Sequence, residues 1–292
     1  MYSRTVFLLY LFCFSHMVSQ EIHPLEAPKG HYETFMALDD GPNPSNSRLD
    51  EITFPMSEAN SGYKIYVGAT PVYLTDNQVE NLKSSMEYPA NSSVQTRAEL
   101  NFLLEWQAKR TKEQVKRVAD FLAPIGYWPH IDENKGHSGY EKNLQHLFYE
   151  GRTVLGENCN EENYPNTSKL LKGITKDMRI MEFTVKYHLL RARPYHLEPK
   201  LEPLAQMGSP AFASGHTLWA YIHAFTWSEL VPQKREEFLK TAYEVGESRE
   251  IMGIHYPSDE EAARVLAYQM LVAMMENDSF KNDLYLAKAE WD

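Results

Sequence analysis

The stretch of residues 248–259 holds three side chains whose types and spacing could carry out chemistry on an anion. Arg249 offers a planar fork of hydrogen-bond donors to an oxyanion. His255, six residues later, can act as a nucleophile or as a base near neutral pH. Asp259, four residues after that, can fix the tautomer of the imidazole and stabilise its protonated form. The three residues therefore predict a site that binds an anion beside a reactive histidine.

The residues around this histidine also predict how it is presented. A capping-box pattern places Ser258 at the N-cap of a helix and Glu261 at its third position. Pro257 disfavours a helix that runs through His255, so we expect the histidine to lie in a turn. Asp259 then lies in the first turn of the helix, where the helix dipole favours an ionised carboxylate.

Two more cations lie upstream, on a predicted helix. Lys186 and Arg193 are seven residues apart, which is about two helical turns, so we expect them to project from nearly one face. Pro194 is expected to end that helix. A compact ammonium and a guanidinium fork on one face suit a multiply charged anion. Without the other motifs, the pair would indicate only a solvated basic edge near a helix C-terminus.

A turn between these two regions adds neutral hydrogen-bond donors. Residues 208–217 form a small, glycine-containing turn before an apolar helix, and such a turn can point its backbone N–H groups at an anion. Ser214 adds a hydroxyl group, Gly215 adds a backbone N–H, and His216 adds a second titratable imidazole. The turn thus predicts a phosphate-sized anion cradle with its own acid or base.

The patterns K-x6-R-P, S-G-H and S-R-x5-H-x3-D occur here in this order. Together they resemble the three-part signature of the type 2 phosphatidic acid phosphatase superfamily, which includes vanadium haloperoxidases and bacterial acid phosphatases. Any one motif alone would be a weak signal, whereas three with the family's internal spacing are a strong one. The resemblance covers roughly residues 70–290 and is nearest to the soluble class A non-specific acid phosphatases. Ala213 departs from the pattern, since the family usually has proline before S-G-H.

The resemblance implies a compact, all-α, multi-helix bundle and a phosphoric monoester hydrolase. It implies that His255, oriented by Asp259, attacks phosphorus and forms a phosphohistidine, while His216 protonates the departing alkoxide and later activates water. It assigns the remaining motif residues to phosphate binding: Lys186, Arg193, Ser214, Gly215 and Arg249. No metal and no other cofactor are needed in this scheme, and vanadate is expected to inhibit.

Two alternatives remain open at this point. The chain could be a vanadium-dependent haloperoxidase, in which vanadate would be the cofactor in the same cage of residues, although the chain is short for that branch. It could instead be a catalytically weak phosphate-binding relative in which Ala213 marks decay. Retention of every ionisable residue of the signature speaks against decay.

Composition narrows the class of partner. The chain has 292 residues, of which 43% are hydrophobic and 24% charged, as in an ordinary globular protein. The formal net charge of −11 argues against nucleic acid or an anionic membrane as a general partner. The resemblance implies small-molecule phosphate esters as partners, and a homo-oligomer stays open.

The chain divides into three predicted parts. Residues 1–20 have a single charge before a short apolar run, which predicts a signal peptide and export to the periplasm or the extracellular space. Residues 21–70 are rich in Pro, Gly, Asn and Ser and predict an irregular arm that packs on the domain or stays mobile. Residues 71–292 predict one α-helical phosphatase domain, and no stretch in it is apolar for long enough to span a membrane.

Apolar residues recur at intervals of three and four along most of that domain, which predicts helices and almost no strands. The longest such stripe begins near Ser168 and leads to Lys186. Further helices are expected over residues 233–249, which would deliver Arg249 at their end, and over residues 278–288. The fold class predicted from these patterns is all-α.

Local signals between residues 75 and 165 complete the prediction. Thr75, with Gln78 three residues later, marks one helix start, and Ser93 marks another. Residues 130–165 are mostly polar, and their scattered histidines match no compact metal motif. We expect a loop there that borders the substrate entrance, and no metal site.

Overall fold

The computed structural model of the chain describes residues 31–125 and 139–291. Within these two ranges the protein forms α-helices, short 3₁₀ turns and one π-helical turn (Val118–Leu122), with one isolated β-bridge and no strand. The predicted all-α fold class is confirmed, while the predicted signal peptide at residues 1–20 lies outside the described residues. In chain order the helices are α1 (Tyr32–Met36), α2 (Asp76–Ser84), α3 (Val94–Lys109), α4 (Lys112–Arg117), α5 (Tyr140–Leu147), α6 (Tyr149–Leu155), α7 (Pro165–Leu189), α8 (Pro194–Leu197), α9 (Gly215–Leu230), α10 (Arg235–Ile251), α11 (Pro257–Met274) and α12 (Asp278–Lys288).

Helix α9 forms the centre of the core. Every one of its residues except Glu229 is buried, and Trp219 and Trp227 have no exposed surface. Helices α7, α10 and α11 pack around it. A largely apolar helix that is buried on all sides needs other helices to enclose it. The N-terminus of α9, which carries the S-G-H motif, is therefore held in the interior.

Helix α7 supplies the longest apolar stripe, as predicted. It begins at Pro165, three residues before the predicted start, because proline suits the first helical position, where its missing N–H costs no hydrogen bond. The fully buried residues of the stripe are Leu170, Leu171, Ile174, Met178, Met181 and Val185. Their burial fixes the rotation of α7 about its axis and turns Lys186 inward.

The predicted end of α7 is wrong. The helix stops at Leu189, and Leu190 adopts a left-handed conformation with φ of 51°. Pro194 instead begins α8, with Arg193 in an extended conformation before it, as the steric demand of proline on its predecessor favours. Lys186 and Arg193 therefore do not share a helical face. The chain between them leaves the helix because the Leu190 carbonyl accepts the backbone N–H of Phe54 at 2.8 Å.

The N-terminal signals of two other helices act as the sequence predicts. Thr75 forms a capping box with Gln78 at the start of α2, and the Ser93 side chain caps α3. Helix α12 spans the predicted residues 278–288. The predicted cap of α11 is wrong by two residues, because the helix begins at Pro257 with Tyr256 as its N-cap.

Residues 140–155 form helices α5 and α6, so the prediction of a loop over residues 130–165 is wrong for this part, and residues 130–138 lie outside the described ranges. The helices form because Tyr140, Leu147 and Phe148 bury their side chains. Residues 31–70 carry α1 and several 3₁₀ turns, and α1 packs against α3 and α11. No helix in the described part of the chain combines the length and the apolar character that a membrane crossing requires.

Candidate active site

His255 lies in the turn between α10 and α11, as predicted, and is 2% exposed. Its Nδ1 is 3.0 Å from Oδ2 of Asp259, and its Nε2 is 2.9 Å from Nη1 of Arg193. A guanidinium can only donate hydrogen bonds, so Nε2 must be the nitrogen that bears the lone pair. Nδ1 then carries the proton and donates a hydrogen bond to the carboxylate. The geometry thus leaves a neutral imidazole whose Nε2 can act as a nucleophile.

The surroundings of His255 keep it neutral. Burial lowers the pKa of His255 well below its ordinary value, and the nearby Arg193 and Lys186 lower it further, against the opposing effect of Asp259. A neutral imidazole is the form required for attack on an electrophile. The cations that lower this pKa are the same ones that the motifs assign to anion binding.

Asp259 is oriented from three sides. It occupies the third position of α11, and its Oδ2 also accepts the backbone N–H of Tyr256 at 3.0 Å. Its Oδ1 is 2.6 Å from Nη1 of Arg191. Burial alone would raise the pKa of Asp259, but Arg191 and His255 hold it well below its ordinary value. The carboxylate therefore stays ionised, as the sequence predicted, and the buried Arg191 is the largest of the effects that lower its pKa.

Sequence reasoning missed Arg191. The side chain has no exposed surface, and its guanidinium carbon lies 3.9 Å from the ring centroid of Tyr256. Arg191 and Arg193 are two residues apart, and in an extended segment such residues point to the same side. This spacing could have indicated that Arg191 lies beside Arg193 in the site. It does so only if the segment is extended, and the sequence predicted a helix there.

Glu99 was also missed, since it lies on α3, far away in sequence. Its Oε1 accepts the backbone N–H of Ser258 at 3.0 Å, and its Oε2 accepts the Ser258 hydroxyl at 2.9 Å. Oε2 of Glu99 is 3.6 Å from Nη2 of Arg191. This carboxylate fixes the first turn of α11 and balances the charge of Arg191. No local pattern in the sequence marks it.

The three predicted phosphate-binding cations are buried in the same region. Lys186 donates to the backbone carbonyls of Pro210 and Ala211 at 2.8 and 3.0 Å, so it is anchored to the turn before α9. Burial, followed by the nearby Arg193, lowers the pKa of Lys186 to about 7. Arg249 has no exposed surface and donates through Nε to the Ser248 hydroxyl at 2.9 Å.

Arg193 is held by backbone carbonyls as well as by His255. Its Nε donates to the carbonyl of Ser209 at 2.9 Å, and its Nη1 donates to that of Ile254 at 2.8 Å. The first carbonyl belongs to the turn before α9 and the second to the turn that carries His255. The guanidinium therefore joins two of the three motifs, although it does not extend from α7 as the sequence predicted.

The S-G-H motif forms the N-terminus of α9. Ser214 is the N-cap, and its hydroxyl accepts the backbone N–H of Thr217 at 3.4 Å. The backbone N–H of Ser214 donates to the Asp259 carbonyl at 3.2 Å, which ties the motif to α11. Gly215 is the first residue of the helix, and Ala213 before it is buried. The motif thus lies beside His255 and places a helix N-terminus there.

His216 is held by the backbone of a distant segment. Its Nε2 is 3.1 Å from the carbonyl oxygen of Ala123, which can only accept, so Nε2 carries a proton and Nδ1 is left to exchange one. Burial, followed by the positive charge of Arg249, lowers the pKa of His216 well below its ordinary value. His255 also lowers the pKa of His216, so the two imidazoles are close enough to interact electrostatically.

The structure therefore brings together all eight predicted site residues: Lys186, Arg193, Ser214, Gly215, His216, Arg249, His255 and Asp259. The cluster combines a lone-pair nitrogen, a second imidazole, three buried cations and a helix N-terminus. These groups suit the binding and covalent attack of a small tetrahedral anion. Among residues 31–125 and 139–291, no three His, Cys, Asp or Glu side chains are arranged to hold a metal ion.

Residues 167–282, which contain all eight predicted site residues, match the family model described as PAP2 superfamily. The non-specific acid phosphatase of Providencia stuartii is 31% identical to this chain over 146 residues, which are 47% of this chain and 58% of that protein. The non-specific acid phosphatase of Salmonella typhimurium is 28% identical over 145 residues, which are 47% of this chain and 57% of that protein. The chain thus spans little more than half the length of these relatives.

Solved structures give weaker matches. A transmembrane PAP2 type phosphatidylglycerolphosphate phosphatase from Bacillus subtilis is 16% identical, with a TM-score of 0.43 over 67% of this chain and 90% of that one. A bacterial vanadium-dependent iodoperoxidase is 18% identical, with a TM-score of 0.45 over 65% of this chain and 51% of that one. The sequence matches confirm the predicted resemblance to PAP2-type acid phosphatases, and class A membership stays a prediction.

Proposed function

We propose that this chain, with its PAP2 superfamily match over residues 167–282, is an exported acid phosphatase that hydrolyses phosphate monoesters through a phosphohistidine. The single observation that carries the proposal is the state of His255. Its Nδ1 faces the carboxylate of Asp259 and its Nε2 faces the donor-only guanidinium of Arg193, which supports a neutral, oriented nucleophile. The names of the relatives support the same activity, and export rests on the predicted signal peptide.

The first chemical step forms a bond between Nε2 of His255 and phosphorus as the ester P–O bond breaks. Charge on the non-bridging oxygens is neutralised by Lys186, Arg193 and Arg249, a role that metal ions fill in other phosphoryl-transfer enzymes. Asp259 stabilises the imidazole as it becomes positively charged. The electron pair of the broken bond leaves with the ester oxygen, which needs a proton unless it belongs to a good leaving group.

His216 supplies the proton that the ester oxygen needs. His216 donates from Nδ1 to the departing alkoxide and becomes neutral, while Ala123 keeps hold of the Nε2 proton. In the second step neutral His216 removes a proton from water, the water oxygen bonds to phosphorus, and the bond to Nε2 of His255 breaks. Inorganic phosphate is released, and His216 regains the proton that it lost.

We expect hydrolysis of p-nitrophenyl phosphate to continue in EDTA and to be inhibited by orthovanadate. The reason is that three cations in the site neutralise the transition state, and vanadate adopts its trigonal-bipyramidal shape. The measurement is initial rate against EDTA and against vanadate, with dialysed protein as the control. Activity that EDTA removes and Mg²⁺ or Zn²⁺ restores would refute this mechanism, and halide oxidation on addition of vanadate and peroxide would favour a haloperoxidase.

We expect kcat/KM for alkyl phosphates to peak below pH ~6.5, the ordinary pKa of histidine. This parameter reports the ionisation of the free protein. Burial and then Arg249 lower the pKa of His216, so its protonated form increases as the pH falls below that value. His255 stays neutral there because burial and then Arg193 lower its pKa too. The pKa of Lys186, about 7, predicts weaker phosphate binding at higher pH as its charge is lost.

A variant at Lys186 tests the contribution of this residue to the fall in kcat/KM at high pH. Lys186→Arg keeps a positive charge at high pH, so we expect this variant to lack the further fall in kcat/KM that loss of the Lys186 charge causes at about pH 7, while the fall caused by deprotonation of His216 stays. The check is a profile from pH 4 to 9 on glycerol phosphate for both proteins. A wild-type optimum above pH ~8 would contradict the protonation states proposed for His216 and Lys186.

A further inference from the structure

A buried ion pair lies on α7 one turn before Lys186. Nη1 of Arg179 is 2.5 Å from Oε2 of Glu182, and the two side chains are 6% exposed. The guanidinium carbon of Arg179 lies 5.2 Å from the ring centroid of Phe183. The three signature motifs contain neither residue of the pair, so the proposed mechanism does not use them.

The carboxylate of Glu182 rests against Gly215. A β-carbon built on Gly215 would lie 1.9 Å from Oε1 of Glu182 and 2.3 Å from its carboxyl carbon. Any larger residue at this position would therefore collide with the carboxylate. Gly215 is the first residue of α9, where backbone N–H groups and the helix dipole favour a negative charge. A carboxylate of the protein itself thus lies against the first residue of the helix whose N-terminus the motif assigns to anion binding.

The pair also affects the pKa values of two residues of the site, Lys186 and His216. Glu182 opposes the lowering of the Lys186 pKa that burial and Arg193 cause. Arg179 adds to the lowering of the His216 pKa that burial and Arg249 cause. One member of the pair therefore lies close to a phosphate-binding cation and the other close to the proposed acid. A structural ion pair remote from the site would show neither effect.

We propose that Glu182 is a built-in competitor of the phosphoryl group. In the free protein its carboxylate occupies the N-terminus of α9, and Arg179 holds it there. The phosphoryl group of a substrate displaces the carboxylate, and Arg179 then faces the incoming anion. When the carboxylate returns, it helps to expel inorganic phosphate at the end of the reaction. This inference rests on the proposed function, since it assumes that the cradle binds phosphate.

The test compares anion binding in Glu182→Gln with that in the wild type. Calorimetric titration with inorganic phosphate, and separately with orthovanadate, gives the dissociation constants. We expect about tenfold tighter binding of both anions to Glu182→Gln, because a like charge has been removed from the cradle. The control is Glu157→Gln, an exposed carboxylate paired with Arg152, whose loss should change neither constant.

A second variant covers the case in which the amide leaves Arg179 poorly compensated and the protein does not fold. Glu182→Asp keeps the charge for Arg179 but withdraws the carboxylate from Gly215 by one methylene group. It should tighten phosphate binding by a smaller factor. Circular dichroism of each variant establishes that it is folded. Arg179→Gln should weaken binding, because it removes the cation that meets the incoming phosphate.

The outcomes separate this inference from the proposed function. Wild-type protein that hydrolyses p-nitrophenyl phosphate, together with unchanged or weaker phosphate binding by folded Glu182 variants, overturns the competitor role alone. Wild-type protein that neither hydrolyses esters nor binds either anion overturns both. Tighter binding in Glu182→Gln with no change in Glu157→Gln supports the inference directly.

Discussion

His255→Ala abolishes hydrolysis of every phosphate ester and leaves no phosphorylated protein after acid quench: this is the largest effect that we expect. The substitution removes Nε2, the lone-pair nitrogen that lies 2.9 Å from Nη1 of the buried Arg193. Loss of a nucleophile costs catalysis on the order of 10⁴-fold or more. The measurements are kcat/KM on several esters and acid-quenched incorporation of ³²P.

The matched control is another histidine of the same chain. His188 is exposed near the end of α7, and His188→Ala should keep both turnover and the trapped intermediate. Circular dichroism and phosphate binding show whether His255→Ala is folded with its cation cluster intact. Labelled protein recovered from His255→Ala would place the nucleophile elsewhere, and His216 would be the first candidate.

His216→Ala should lose activity in proportion to how badly the leaving group needs a proton. General acid catalysis contributes roughly 10²–10⁴-fold. An alkoxide leaving from glycerol phosphate needs the proton, so we expect most of that loss on this substrate. p-Nitrophenolate is stable near neutral pH, so the same variant should lose much less on p-nitrophenyl phosphate. The measurement is kcat/KM for both substrates, compared as a ratio with that of the wild type.

The comparison of two substrates separates loss of the proton donor from weaker phosphate binding. A variant that binds phosphate poorly loses activity equally on both esters, because both present the same phosphoryl group. Equal losses would therefore mean that His216 contributes binding and not a proton. A trapped phosphoenzyme that accumulates in His216→Ala would support its second role, since activation of water is then also impaired.

The residues of the site could be predicted from sequence because their chemistry is concentrated in three short motifs. The turn at His255 follows from Pro257, and Asp259 lies in the first turn of α11 as predicted, although that helix begins at Pro257 and not after Ser258. The burial of α9 follows from its largely apolar and aromatic composition. Such features depend on neighbours in the chain, and the structure agrees with the sequence on each of them.

The path of the chain between Lys186 and Arg193 could not be predicted in the same way. A helix through both residues is locally reasonable, and it places them on one face. The chain leaves the helix at Leu190 because its carbonyl pairs with Phe54, more than 130 residues earlier in the chain. Arg191 is buried as a consequence, where it holds Asp259. A local pattern carries no information about partners so far away.

Two supports of the site lie outside residues 167–282, the part that matches the family model. Glu99 on α3 holds the first turn of α11, and the Ala123 carbonyl holds His216. The three motifs therefore depend on residues outside the matched part of the chain, and they could not be transferred to another protein by themselves. A chimera that grafts residues 167–282 onto a different N-terminal half would carry every motif residue but would lose the carboxylate that balances Arg191. Recombination between this chain and proteins that match the same family model should accordingly succeed only where α3 and the segment around Ala123 are inherited together with the motifs they support.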